Sequence, residues 1–328
     1  VRVYGRSIYG STPIIVIFLL FLPLYTDRHE SLIVLSHNHT FQVIIMKTIL
    51  FPTDLSDAAN KAYVYALHLA DRLHARVVTL HAFQKPEIRG ATHIPRMLEE
   101  FYKEFDILEF GEYKGNIPQL MKIADDSNMS HVEVSHRMEE GETIPTILRV
   151  AQEEQADLIV MGTTGARGLK EIFLGSVAGE ILENAACPVL AVPEDASFDG
   201  KVDRIALSTA LNSEDERALD KLLEIGAIFH AEIHCLHVDL GHTESVAHRM
   251  QQLRDKYASQ PRIFFHVLEG LDYLPTMTAF LQNNQIDWIA MVAHKRNFWQ
   301  ELLHYSKTKS MSYHADTPIL SFPEGMLK

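Results

Sequence analysis

From Met46 onward, short apolar runs alternate with longer segments whose apolar positions recur every three or four residues. Lys47 to Pro52 (K-T-I-L-F-P) and Arg76 to Phe83 (R-V-V-T-L-H-A-F) predict buried strands. Between them Ala62, Ala66, Leu69 and Leu73 line one face of a helix, with Ser56 or Asp57 as its N-cap. Residues 85 to 130 form a longer connection. Its pattern predicts two helical pieces, Pro95 to Phe110 and Asn116 to Asn128, and then a third strand at His131 to Arg137. A helix carrying Ile144, Ile147, Leu148 and Ala151 follows. The fourth strand is Leu158 to Met161 and the fifth Pro188 to Val192, closed by Pro193. Strands alternating with helices predict an α/β fold, an open parallel sheet with helices on both faces.

The pattern then repeats. K-T-I-L-F-P-T-D-L-S returns as D-R-I-A-L-S-T-A-L-N from Asp203, and A-R-V-V-T-L-H-A as A-E-I-H-C-L-H-V from Ala231. E-G-E-T-I-P-T matches E-G-L-D-Y-L-P-T from Glu269, and C-P-V-L-A-V-P matches T-P-I-L-S-F-P from Thr317. The connection after the second strand is shorter in the second copy, where Gly241 to Gln260 has room for one helix. The expected organisation is therefore two tandem domains of about five strands each, 46–195 and 201–328, joined by E-D-A-S-F-D-G-K. The two fifth strands are expected to pack together, because exposed apolar edges need covering.

One stretch carries chemistry. In Asp157 to Ser176 (D-L-I-V-M-G-T-T-G-A-R-G-L-K-E-I-F-L-G-S) a strand runs into a glycine-punctuated loop that returns to a helix start at Gly175-Ser176. Glycines let backbone N–H groups approach a ligand closely, and the first turn of a helix favours an anion. Gly162, Gly165, Gly175 and Ser176 set the pattern G-x-x-G, nine residues, G-S. With the preceding I-L-F-P-T-D, the L-H-A-F strand end and C-P-V-L-A-V, this resembles the ATP-binding signature of the universal stress protein family, over 46 to 328 and in the style of its tandem members.

That resemblance implies a Rossmann-like, adenine-nucleotide alpha-hydrolase-like fold with nucleotide bound at the carboxyl ends of the strands. The implied ligand is ATP, with ADP and AMP as alternatives and Mg2+ an option beside ATP. The implied binding residues are Asp54, Ala82 through its backbone, Gly162, Gly165, Gly175, Ser176 and Val177. Arg167 and Lys170 are our own addition as contacts to outer phosphates. Blander readings stand beside these: Asp54 as a cap, Gly162 and Gly165 as turn residues, Ser176 as an N-cap.

The second copy departs from the signature. Ala210 stands for Asp54, Ala293 and Arg296 for two glycines, and Ser306-Lys307 for Gly175-Ser176. We expect one nucleotide site, in the first copy, and a degenerate second copy serving as an intramolecular pseudo-dimer partner. The alternative is a different anion site made by Lys295, Arg296 and Lys307.

Composition narrows the classes. Of 328 residues, 43 are Asp or Glu and 30 Lys or Arg, a formal charge of −13 that argues against nucleic acid or anionic membrane as the main partner. Cys187 and Cys235 have no zinc or C-x-x-C spacing and read as reduced thiols of a cytoplasmic protein. Residues 1–45 differ from the rest. The apolar run Ile14 to Leu22 is too short to span a membrane. We expect a non-native or disordered leader, with an export signal and a peripheral anchor as alternatives, and we read His29, His37 and His39 as solvated. His81 and His237 recur at one repeat position and read as packing residues, as do Trp288 and Trp299. No G-x-S-x-G, Walker A or H-E-x-x-H motif occurs, so no catalytic or metal residues are assigned. The expected function is a nucleotide-dependent regulatory module of the stress response, with an unidentified protein partner and homodimerisation as an option. Slow ATP hydrolysis or autophosphorylation at Ser176 or Thr163-Thr164, and a scaffold without nucleotide, stay open.

Overall fold

The computed structural model describes residues 46–86, 95–163, 175–196, 198–241, 244–293 and 317–327. The first half runs β1 (Thr48–Pro52), α1 (Asp57–Leu73), β2 (Arg76–Phe83), α2 (Pro95–Asp126), β3 (Val134–Glu140), α3 (Thr143–Glu153), β4 (Leu158–Gly162), α4 (Ser176–Asn184) and β5 (Val189–Val192). The second runs β6 (Arg204–Ser208), α5 (Ser213–Phe229), β7 (Glu232–Asp239), α6 (Glu244–Lys256), β8 (Ile263–Glu269), α7 (Tyr273–Asn283), β9 (Trp288–Ala293) and β10 (Ile319–Pro323), with a 3-10 turn at Glu324–Leu327.

All ten strands join one open mixed sheet in the order β3-β2-β1-β4-β5-β10-β9-β6-β7-β8. Neighbours are parallel except at the centre, where β5 and β10 pair antiparallel through Ala191↔Ile319, Leu190↔Leu320 and Val189↔Ser321. The two fifth strands therefore meet as their apolar sequences demanded. Ser321 Oγ also donates to the Leu182 carbonyl of α4 at 3.3 Å. Helices cover both faces. On one face Phe51, Tyr63 and Leu190 belong to the same apolar layer as Leu207, Leu222 and Phe322; on the other, Ile159 and Ile181 share a layer with Ile289 and Ile319. Each fully buried aliphatic side chain contributes about 1.5–3 kcal/mol, so the junction is a hydrophobic core rather than a hinge.

Repeated polar devices fix the strand ends. Asp157 accepts from the N–H groups of Lys47 and Thr48 at 2.7 and 3.1 Å, and Asp287 from those of Asp203 and Arg204 at 2.7 and 2.8 Å. The first residue of the candidate stretch thus ties β4 to the start of β1.

Two boundaries differ from the sequence pattern. α2 is one helix of 32 residues rather than two pieces. Gly111, Gly115 and Pro118 argue for a break, each glycine costing about 1 kcal/mol in a helix. Burial of Tyr113, Leu120 and Ala124 along one face outweighs that. β3 begins at Val134 rather than His131, whose Nε2 leaves the sheet to donate to Asp71 at 2.6 Å.

Candidate functional site

In the first half β1, β2 and β3 lead one way across the sheet, while β4 and β5 lie on the other side of β1. β1 and β4 are thus the neighbours between which the chain's direction of winding reverses. A crevice opens outside the carboxyl ends of strands at such a point. β1 pairs with β4 through Ile49↔Leu158 and Leu50↔Ile159. Carried forward, that register sets Thr53 beside Gly162.

Asp54 leaves the end of β1 exposed to solvent. Its Oδ1 accepts from Ser56 N–H at 3.1 Å, and Ser56 Oγ in turn accepts from Ala59 N–H at 3.2 Å as the N-cap of α1. So Ser56, not Asp57, is the cap, and Asp54 braces it. Leu55 turns the chain at φ 62°, the left-handed region that side chains rarely adopt. The turn is held from below: Thr53 Oγ1 accepts from Leu55 N–H at 3.0 Å, and His81 Nδ1 meets the Thr53 carbonyl at 3.1 Å. A carbonyl only accepts, so Nδ1 carries the proton and donates. His81 also stacks on Tyr113 at 5.5 Å. It is a clamp on the turn, in keeping with the packing role.

Ala82 lies one alternation past the last ladder bond between β1 and β2, Thr53 N–H to the Leu80 carbonyl at 2.9 Å. Strand alternation aims its backbone N–H and C=O to the same side as those of Leu80, toward the crevice. Opposite, Thr163 is buried and its N–H donates to the Val192 carbonyl at 3.0 Å. Its carbonyl accepts from Gly175 N–H at 2.7 Å, which draws the start of α4 against the end of β4. A Cβ at Gly175 would lie 2.9 Å from that same oxygen. The glycine is therefore required by close backbone approach, and its N–H is spent inside the protein. Ser176 and Val177 open the helix at Gly175, with no side chain capping it. Their N–H groups belong to the first turn, which has no intrahelical partner. Gly165, Thr164, Arg167 and Lys170 lie outside the described residues, as do Lys295, Arg296, Trp299, Ser306, Lys307 and the leader histidines.

The second half builds the same frame. Leu211 takes φ 61°, Thr209 Oγ1 accepts from Leu211 N–H at 2.8 Å, and His237 Nδ1 donates to the Thr209 carbonyl at 2.7 Å. What differs is the carboxylate. Ala210 replaces Asp54, and Asp215 of α5 stands where the first half has Ala59. Asp215 is buried, and its Oδ2 accepts from Ala210 N–H at 2.7 Å, Thr209 Oγ1 at 3.1 Å and Asn212 N–H at 3.5 Å. Asn212 completes a capping box by accepting from Asp215 N–H at 2.8 Å. Sequence reading missed Asp215. The N-S-E-D run after Leu211 was the available signal, since an acid three residues after an N-cap predicts a capping box.

Among the other residues weighed from sequence, Cys187 and Cys235 are free thiols, and burial pushes that of Cys187 up to about 12 and that of Cys235 up as well. Trp288 packs edge-on against Phe229 at 5.5 Å. Among the described residues no cluster of three or more His, Cys, Asp or Glu could hold a metal, and no helix is long and apolar enough to cross a membrane.

Comparison with known proteins gives a consistent picture. The model of the universal stress protein family matches residues 46–193. A universal stress protein of Methanocaldococcus jannaschii is 34% identical over 150 residues, 45% of this chain and 82% of that protein. One of Thermus aquaticus is 32% identical over 152 residues, covering 45% of this chain and 99% of that protein. Among solved structures, a universal stress protein from Archaeoglobus fulgidus superposes with a TM-score of 0.62 at 18% identity, over 86% of this chain and 97% of that one. That likeness, at such identity, is one of fold, and it extends across both halves.

Proposed function

The chain belongs to the universal stress protein family, and from that premise we propose that its first half binds an adenine nucleotide and that its second half does not. The observation that carries the reading is the convergence of Asp54, the Ala82 backbone, Gly162 and the start of α4 at the carboxyl ends of neighbouring strands, at the switch point of the first half. An exposed carboxylate at that place can accept from ribose hydroxyls or an exocyclic amine. The Ser176 and Val177 N–H groups and the Ser176 hydroxyl can donate to phosphate, with the helix end favouring negative charge. Gly175 supplies space and closure rather than a donor. Its Cβ-free edge lets α4 sit tight on β4, so phosphate would meet the helix and not a side chain.

On this reading the protein is a regulatory module whose nucleotide state biases its partner binding, within the general stress-response role of its family. Its domains are 46–195 and 201–328, with the second a built-in pseudo-dimer partner of the first. ATP is the nucleotide we favour.

The test is calorimetric titration of the purified chain with ATP, ADP and AMP, repeated on Asp54→Asn. That variant keeps an oxygen for Ser56 N–H and removes the charge, so the turn survives. We expect one site per chain in the natural protein and at least about tenfold weaker binding in the variant, as loss of a charge-assisted hydrogen bond implies. Unaltered affinity would remove Asp54 from the site, and absence of heat with all three nucleotides would overturn the proposal.

A further inference from the structure

Among the described elements the largest difference in length between the halves is α2, 32 residues against 13 for α6. One side of α2 is anchored: Tyr113, Leu120 and Ala124 are buried, and Asp106 meets Lys85 at 2.9 Å. The other side faces solvent and is unusually apolar. Phe101, Ile107, Leu108, Phe110 and Met121 are all exposed, Ile107 and Leu108 each to 71%. Lone exposed apolar residues need no explanation, but a run of them along one helix marks an interaction surface.

The arrangement has a centre. At about 100° per residue, the middle of the exposed face is Gly111. Glu100, Glu104, Ile107, Leu108, Gly115, Pro118 and Lys122 lie within about 60° of it. Three pairs at equal distances before and after Gly111 are complementary, while Glu104 meets Pro118 and Leu108 meets Lys114. Glu100 matches Lys122, Ile107 matches Gly115, and Phe101 matches Met121. Acidic residues occupy this face before Gly111, and Lys114 and Lys122 occupy it after. An antiparallel partner of identical sequence would set acid against base and a bulky side chain against a glycine, twice over. A two-fold axis does this and generates an isologous interface. Gly111 on that axis lets the backbones approach, and a Cβ built there or at Gly115 meets nothing in the isolated chain.

We propose that two copies of this chain associate through the outer face of α2, antiparallel, with the two-fold axis at Gly111. The surface is distinct from the β5–β10 pairing, which lies at the centre of the sheet within one chain. It is also independent of nucleotide binding. A strip about 33 Å long and roughly 10 Å wide is smaller than the about 800 Å2 per partner of a standard interface. The dimer is accordingly expected in the range of tens of micromolar.

Sedimentation equilibrium of the full chain, without nucleotide and up to about 300 µM, reads the association. Ile107→Glu removes no core packing, since Ile107 is exposed and faces Gly115 of the other copy, and should weaken it at least tenfold. Gly111→Cys supplies the geometric readout. On mild oxidation with copper-phenanthroline and air it should give a disulfide-linked dimer, because only residues near the axis bring two Cα atoms within about 7 Å. Glu112→Cys, about 100° round the helix, should remain monomeric under the same treatment. Cys235 is buried and Cys187 half-buried, and the unsubstituted chain is the control for any cross-link through them. A chain that stays monomeric to the highest concentration overturns the proposal. So does a dimer indifferent to Ile107→Glu, or equal cross-linking at positions 111 and 112.

Discussion

After β1 the chain turns through Leu55 at φ 62°, and after β6 through Leu211 at φ 61°. Both turns are clamped from below by a histidine on the next strand and by a threonine hydroxyl. Onto this common backbone each half adds one carboxylate, on opposite sides. Asp54 stands on the outer side, exposed, where an incoming molecule can reach it. Asp215 stands on the inner side, buried, where it gathers the hydroxyl and N–H groups of its own turn. Binding a ligand and completing a fold need the same chemistry, an oxygen acceptor facing donors. Buried Asp215 completes its turn, while exposed Asp54 braces Ser56 and, on the proposed reading, can also meet a ligand.

The strongest way to break this comparison is Asp215→Ala. It would leave a hydroxyl and N–H groups buried without their acceptor, so a loss of roughly 2–4 kcal/mol is expected, measured as a shift in the urea unfolding midpoint. A loss below about 0.5 kcal/mol, the scale of ordinary surface substitutions, would show that the carboxylate is not structural. Gly175→Ala comes next. Its Cβ would meet the Thr163 carbonyl at 2.9 Å, and a shift of α4 costing about 1–2 kcal/mol is expected. The same unfolding curve reads it, and lowered nucleotide affinity should accompany it. Asp54→Asn should do the reverse of Asp215→Ala, changing stability by no more than about 0.5 kcal/mol while weakening nucleotide binding about tenfold. Equal stability losses at positions 54 and 215 would erase the distinction.

The smallest expected effect concerns pH, at the two outer edges of the sheet. On β7 and β8, His234 Nδ1 lies 3.2 Å from His266 Nε2. Burial holds both imidazoles below their ordinary 6.5; at His234 Glu232 opposes and Arg204 adds to this, and at His266 each of His234 and Arg254 adds to it. The folded state then takes up fewer protons than the unfolded chain as pH falls below about 6.5, so stability present above that value declines. At the other edge, the carboxylates of Glu139 and Glu154 are held below 4.5 chiefly by Arg137, and that of Glu153 by Arg149. Their contribution is present above 4.5 and is lost only as pH falls through their lowered values. Burial holds His136 of β3 below 6.5 as well, so amide-exchange protection should weaken at both edges between about pH 6.5 and 5, and more on β8, where two such imidazoles meet, than on β3. Loosening of β3 ahead of β8 would contradict this.

Much of this was legible in the chain itself. The strand pattern, the internal repeat and the loss of Asp54 and the glycines in the second copy needed only local periodicity and one self-comparison. β2 runs Arg76–Phe83 as its pattern indicated, because an apolar run between a helix end and a polar loop leaves little latitude. The unbroken α2 was not legible. Gly111, Gly115 and Pro118 are helix breakers by propensity, and only the burial of Tyr113 and Leu120 overrides them.

By its sequence alone the protein was determined to be two copies of an alternating strand-and-helix unit, one with a glycine-rich strand-to-helix loop. Those features follow from side-chain periodicity and backbone freedom, which act within a few residues. Tertiary structure decided that β1 and β4 are neighbours, that β5 and β10 fuse two sheets into one, and that Asp215 faces inward while Asp54 faces out. It also decided that Gly175 is pinned by the Thr163 carbonyl. Each of these depends on what a residue meets across the fold. Contact and burial between distant segments arise only when the sheet is assembled.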